Sequence, residues 1–290
     1  MLDISKLNVK QQCFLAALVG DALGVPHEFK STHALREDFI HNPSLITDDY
    51  KTYQVDLGIY SDDFSQILCV ENYLQSGETD ITKFYDDLLA WSQGKYWVKK
   101  KLFDIGTQTA SQLKYYQKKM EVKKHDQNMS GNGSLMRILP VAFTGLDNEE
   151  MIDLAYEISY ITHNSQECLL SCAFYCILIK NIFYGANFSD AWYQACQITK
   201  FNPDEKNPYP NFGSGYVLDS LMAVHEVIMT TKTFDEAVVK SIMFGGDTDT
   251  TTEIVLPVAA LVFGMDDINP EWLKFIKPSL DCKEVKKVLA

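Results

Sequence analysis

At 290 residues, with 46% hydrophobic and 12% aromatic residues, the chain can build a substantial core and needs no covalent staples to fold. A net charge of −13 argues against broad electrostatic capture of nucleic acid or of an anionic membrane. Seven cysteines without a C-x-x-C pair argue against a disulfide framework, and the N-terminus has no apolar core of signal-peptide length, so a cytoplasmic setting is expected.

The periodicity is helical from the start. Asn8 and Gln11 make a capping-box pattern ahead of Phe14, Ala17, Leu18 and Ala22 at helical spacing. Ser61 precedes the periodic run Ile67, Leu68, Val70 and Leu74, which suits an N-cap with Asp62 and Asp63 in the first turn. Between Lys95 and Lys124 nine lysines face only Asp104 and Glu121, which reads as a solvated helical face or as a docking surface for something anionic.

Further along, Ser130-Gly131-Asn132-Gly133-Ser134-Leu135-Met136-Arg137 combines two glycines with small polar residues, so its backbone can approach a ligand closely. The apolar run that follows, to Phe143, predicts a helix start, where phosphate binds favourably. Asp147 and Glu150 repeat the capping box, and Met151, Leu154, Ala155 and Ile158 form the stripe behind it. From Cys168 to Phe183 the chain is apolar nearly all round, with Cys168, Cys172 and Cys176 on one face, which predicts an enclosed central helix. The stretch from Asn202 to Phe212 predicts a long loop bordering a site, and Val217, Leu221, Val224 and Ile228 a one-sided helix. Gly245-Gly246 allows unusual backbone angles before Asp247, and Pro257 is expected to kink the helix after it.

Strand signals are sparse, so the expected fold is all-α, a single domain over residues 1–290. The longest apolar stretches, around 14–19 and 255–263, are too short to span a bilayer.

Two acidic clusters carry the chemistry: Ser61-Asp62-Asp63 and Asp247-Thr248-Asp249-Thr250. Carboxylates mixed with hydroxyls suit hard divalent cations such as Mg²⁺, Mn²⁺ or Ca²⁺ rather than zinc. Four Asp side chains share a small space only if cations neutralise them, so convergence of the clusters predicts one or two metal ions. D-x-D-x-T also opens haloacid-dehalogenase-type phosphatases, but too little chain follows Asp249 for their α/β core. An EF-hand loop fails because Val255 to Val258 supply no ligands.

Together these segments resemble the ADP-ribosylglycohydrolase family. The resemblance runs in order along nearly the whole chain: Gly20-Asp21-Ala22-Leu23-Gly24-Val25-Pro26 with Glu28, Ser61-Asp62-Asp63, Asp104-Ile105-Gly106, the loop ending at Arg137, Thr162-His163, Gly215-Tyr216-Val217, and Gly245-Gly246-Asp247-Thr248-Asp249-Thr250. It implies a compact orthogonal multi-helix bundle with a binuclear centre, two Mg²⁺ or Mn²⁺ ions, that removes ADP-ribose from a modified target. Ser61, Asp62, Asp63, Asp247, Asp249 and Thr250 match metal ligands, and Glu28, Asp62 and Asp63 match residues of the catalytic centre. Asp104, Gly106, Gly131, Asn132, Gly133, Ser134, Met136, His163 and Tyr216 match positions lining the ADP-ribose pocket.

The implied substrate is ADP-ribosyl-arginine on a protein, handled by a monomer with no membrane partner. Serine-linked, polymeric or nucleic-acid-linked ADP-ribose, or a non-catalytic ADP-ribose binder of the same fold, are the alternatives. Where the family reads Thr-Asp-Asp-Thr-Gln, this chain has Ser61-Asp62-Asp63-Phe64-Ser65-Gln66. Ser61 keeps the coordinating hydroxyl, while Phe64 is expected to add bulk beside the centre.

Overall fold

The computed structural model describes residues 2–47, 55–97, 102–124 and 129–290. Among these the chain is helical throughout, without a strand; one isolated antiparallel bridge joins Gly131 to Tyr216. In chain order the α-helices are α1 (Val9–Gly24), α2 (Thr32–His41), α3 (Asp62–Ser76), α4 (Ile81–Trp91), α5 (Thr107–Lys119), α6 (Asn148–Tyr160), α7 (Gln166–Phe183) and α8 (Phe188–Thr199). There follow α9 (Pro203–Lys206), α10 (Val217–Thr230), α11 (Phe234–Ile242), α12 (Thr248–Phe263) and three short C-terminal helices, α13 (Pro270–Phe275), α14 (Lys277–Leu280) and α15 (Lys283–Val288).

The helix starts follow from local chemistry. Asn8 Oδ1 accepts from Gln11 N at 2.9 Å and Gln11 Oε1 from Asn8 N at 2.8 Å, and Asp147 with Glu150 repeats the exchange at α6. Ser61, Ser165 and Asn187 cap α3, α7 and α8 through side-chain oxygens, so orphan N–H groups at these ends are satisfied.

The core centres on α7, whose Cys168, Cys172 and Cys176 are fully buried. By length and composition α7 is apolar enough to cross a bilayer, but here it is the central helix, packed against α6, α8 and α10. The pair that matters most for the site is α1 and α12, the most extensive helix contact in the molecule. Gly20 and Gly24 permit it: a Cβ on Gly20 would lie 2.7 Å from Glu253 N, and one on Gly24 2.3 Å from Asp249 Cα. Two helices so close hold the start of α12 in one register against α1. Thr248 Oγ1 adds a 2.9 Å hydrogen bond to Gly24 O.

The glycine-containing loop departs from expectation. After Gly131 the chain makes successive tight turns, with Leu135 N and Met136 N donating to Asn132 O, and then a 3-10 helix, Leu139–Phe143. Pro140 has no N–H to offer Met136 O, so an α-helix begun at Leu135 would break in its second turn. The stretch from Asn202 to Phe212 holds the one-turn α9 and is drawn in by Asp219, which accepts from Asn207 Nδ2 at 2.7 Å, Asn211 N at 2.9 Å and Ser214 Oγ. α12 runs on through Pro257. Of the basic segment, Lys114, Lys118 and Lys119 lie exposed on α5 and Lys95 pairs with Asp87, while Lys99, Lys100 and Lys101 lie outside the described residues.

Candidate active site

The two acidic clusters, distant in sequence, meet at the N-termini of α3 and α12. Asp21, on α1, accepts from Ser61 N at 2.9 Å and from Phe64 N at 3.0 Å, which fixes the first turn of α3 against α1. Ser61 Oγ donates to Asp63 Oδ2 at 3.3 Å, and Thr250 Oγ1 reaches the same carboxylate at 3.1 Å from α12. Thr250 N donates to Asp249 Oδ1 at 2.9 Å, while Asn132 Nδ2 donates to Asp247 Oδ2 at 2.7 Å.

Two groups of carboxylate oxygens result, each within 4.8 Å: Asp21, Asp63 and Asp249, and Glu28, Asp247 and Asp249. Asp249 belongs to both. Burial pushes the Asp21 carboxyl up to about 7, against hydrogen bonds from Phe64 and Ser61 that pull the other way. Burial, reinforced by neighbouring acids, also holds Asp62, Asp63 and Asp249 well above the ordinary carboxylate range, and burial raises Asp247 despite its bond from Asn132. Among the described residues no Lys or Arg forms an ion pair with Asp21, Asp62, Asp63, Asp247 or Asp249. Asp249 Oδ2 is buried with no hydrogen-bond partner among the described residues. All-oxygen donors, excess negative charge and an orphan buried oxygen fit hard divalent cations.

These acids form one wall of a cavity of about 460 Å³. Glu28, Asp62, Asp63, Asp247 and Thr250 line that side; Asp104, Gly106, Thr107, Gln108, Thr109, Gly131, Asn132, Gly133, Met136 and His163 line the rest, with Phe29 and Gly215 completing it. The glycine loop is clamped by Asn132 N to Gly215 O at 3.0 Å and Val217 N to Ser130 O at 2.9 Å. Among the described residues the backbone N–H groups of Gly133 and Ser134 donate to no protein acceptor.

A buried chain of hydrogen bonds links the metal side to the loop. Asp62 Oδ2 accepts from Gln66 Nε2 at 3.1 Å, and Gln66 Oε1 accepts from Arg137 Nη1 at 3.0 Å. Arg137 also donates to Gly133 O at 3.1 Å, Ile158 O at 2.8 Å and Thr162 Oγ1 at 2.8 Å. Thr162 Oγ1, which accepts from Arg137, also shares a hydrogen bond with His163 Nδ1 at 2.8 Å. His163 Nε2 lies beside Gly131 on the cavity wall. Arg137 is fully buried and burial lowers it to about 10, still charged at neutral pH.

Most residues singled out from the sequence therefore converge on one cavity. Ser61, Ser134, Tyr216 and Asp249 do not line it, Asp249 being fully buried beneath the wall. Ser61 is buried behind Asp63, and Ser134 Oγ points into the core, accepting from Ser159 Oγ at 2.8 Å. Tyr216 contributes its backbone, bridged to Gly131, while its hydroxyl bonds to Glu167. Phe64 adds no bulk to the cavity: it is fully buried, with its ring 5.5 Å from that of Tyr60. A residue two past Asp62 in the first turn of a helix faces away from it. Sequence reasoning gave no role to Asp21, Gln66, Arg137 and the Thr107-Gln108-Thr109 wall; an Asp inside the apolar periodicity of α1 was the available signal for the first.

Comparison with known proteins agrees with this geometry. The sequence matches the family model described as ADP-ribosylglycohydrolase over residues 9–289. It is 25% identical over 284 residues to an ADP-ribosylarginine hydrolase of Serratia proteamaculans, covering 93% of this chain and 76% of that protein. It is 23% identical over 279 residues to the ADP-ribosyl-[dinitrogen reductase] glycohydrolase of Rhodospirillum rubrum, covering 95% of this chain and 91% of that one. Among solved structures, an ADP-ribosylglycohydrolase-related protein complex has the same fold, with a TM-score of 0.74 at 21% identity over 97% of this chain and 98% of that one.

Proposed function

Because the chain belongs to the ADP-ribosylglycohydrolase family, and is accordingly an ADP-ribosyl hydrolase, we propose that its substrate is ADP-ribosyl-arginine on a modified protein and that it works with Mg²⁺. The observation that carries the reading is the pair of carboxylate groups sharing Asp249, of which Glu28, Asp63 and Asp247 line a cavity whose other side is a loop with an uncommitted N–H donor at Gly133. Asp21, Asp63 and Asp249, and Glu28, Asp247 and Asp249, with the hydroxyls of Ser61 and Thr250, are the residues that would hold divalent cations. Bound there, such ions would supply Lewis-acid chemistry, polarising ribose hydroxyls and making water more acidic.

The chain's own residues do the rest. Gly133 offers its backbone N–H group to the pyrophosphate, and His163 Nε2 offers a further donor in the tautomer in which Nδ1 accepts from Thr162. The C1–N bond to the guanidino group breaks, the water oxygen bonds to C1, and the water's proton ends on the departing guanidine. Asp62 is the group in this account that accepts the proton from water: it lines the cavity, Gln66 orients it, and burial with the charge of Asp104 raises its basicity. Glu28 faces the same space and suits return of a proton to the leaving nitrogen. The same reading takes the chain as one cytoplasmic domain acting as a monomer, in keeping with seven cysteines in no disulfide.

A panel of arginine-, serine- and nucleic-acid-linked ADP-ribose, assayed for released ADP-ribose in Mg²⁺, tests the substrate. The arginine linkage is expected to turn over at least tenfold faster than the others. A faster serine or nucleic-acid linkage would overturn the assignment.

A further inference from the structure

One acidic residue close to the centre has no part in the site described so far. Glu253 is 1% exposed, and neither of its carboxylate oxygens has a hydrogen-bond partner among the described residues. A carboxylate taken out of water with no donor and no counter-charge is among the least favourable placements in a protein interior. Its backbone is held close to α1, since a Cβ on Gly20 would lie 2.7 Å from Glu253 N.

Its position on α12 explains where it acts. Glu253 is one turn beyond Asp249 and Thr250, and residues three and four apart share a helix face. That is the face from which Thr250 reaches Asp63. After burial itself, the charge of Glu253 is the strongest influence on Asp63, and Asp21, Asp62 and Asp247 act on Glu253 in return. Asp249, four residues earlier, carries its own orphan oxygen, Oδ2. No described Lys or Arg pairs with either residue. Glu253 does not line the substrate cavity, so it lies on the core side of the acidic cluster.

We propose that Glu253 is a carboxylate lying behind the inner cation position formed by Asp21, Asp63 and Asp249, outside their 4.8 Å group, and that its charge sets how tightly that position holds a divalent ion. The inference rests on the metal reading of the site. Glu253 is a positioning residue: it acts on the cation's affinity from behind and does not touch the substrate. Carboxylates behind a metal ligand commonly carry ten- to a hundredfold in metal affinity.

The test is calorimetric titration of Mn²⁺ into the chelator-stripped chain, with thermal unfolding of the metal-free and Mn²⁺-loaded forms. Glu253→Gln keeps the shape and removes the charge; it is expected to weaken the tighter Mn²⁺ site about tenfold, raise the metal-free Tm and shrink the Tm gain on adding Mn²⁺. Glu253→Asp keeps the charge at shorter reach and is expected to lose about threefold, which also serves as the test if the Gln variant does not fold. Unchanged Mn²⁺ affinity in both variants, or a raised metal-free Tm with unchanged affinity, would overturn the proposal while leaving the metal reading intact. A wild-type chain that binds no Mn²⁺ would overturn both.

Discussion

Removing the cations should make this protein unusually sensitive to rising pH. The relevant group with a definite value is Asp21, whose folded-state carboxyl is pushed to about 7 from an ordinary 3.8 by complete burial. The sign follows from proton counting. Between those two values the folded chain keeps a proton that the unfolded chain has released, so raising the pH favours unfolding. A shift of roughly three units corresponds to on the order of 4 kcal/mol of stability, present below about pH 4 and lost by about pH 7. Asp62, Asp63, Asp249 and Glu253 are shifted in the same direction by burial, so the figure sets the scale for the cluster rather than for one residue. Urea unfolding in EDTA at pH 5 and pH 8 measures the loss, and the same pair in Mg²⁺ is expected to show little of it, because bound cations favour the ionised carboxylates. Stability that is flat or rising from pH 5 to pH 8 in EDTA would refute the reasoning.

Two substitutions probe the cavity separately from the acids. Gly133→Ala places a Cβ 2.9 Å from His163 Cε1, so the ring must move; binding of ADP-ribose, followed by calorimetry, is expected to weaken by about tenfold with a stability change of about 1 kcal/mol or less. Phe64→Thr, which restores the hydroxyl usual in the family, empties core volume beside Tyr60 and is expected to cost about 3 kcal/mol of stability. Its kcat/KM at a temperature where it is folded should stay within about threefold of the parent, since the ring lies outside the cavity.

How much of this was legible in the sequence depends on the range of the interactions involved. The caps at Asn8, Ser61 and Asp147 were readable because each depends on two or three neighbouring residues, and all three form as expected. The chemistry of Asp62, Asp63, Asp247 and Asp249 was readable for the same reason. Their meeting was not a local matter: it depends on Gly20 and Gly24 letting α12 lie against α1, a property of two segments more than 200 residues apart. Asp21 and Arg137 stood in quoted motifs without a role of their own, because each acts through long-range partners, Ser61 and Phe64 for one, Gln66 and Thr162 for the other. Phe64 was misjudged because adjacency in sequence to Asp63 was taken for adjacency in space, whereas successive residues on a helix point in different directions. The helix expected after the glycine loop failed on Pro140, whose missing donor outweighed the apolar pattern around it.

The most direct measurement is release of free ADP-ribose from an arginine-modified protein by the parent chain and by Asp249→Asn, each in Mg²⁺ and in EDTA. Asp249 is the carboxylate common to both groups. The expected result is turnover by the parent in Mg²⁺ alone, and a fall of about a hundredfold or more in the variant even at saturating Mg²⁺. Equal rates for the parent in Mg²⁺ and EDTA, or an Asp249→Asn variant as active as the parent, would contradict the assignment of a cation-dependent hydrolase centre to these carboxylates.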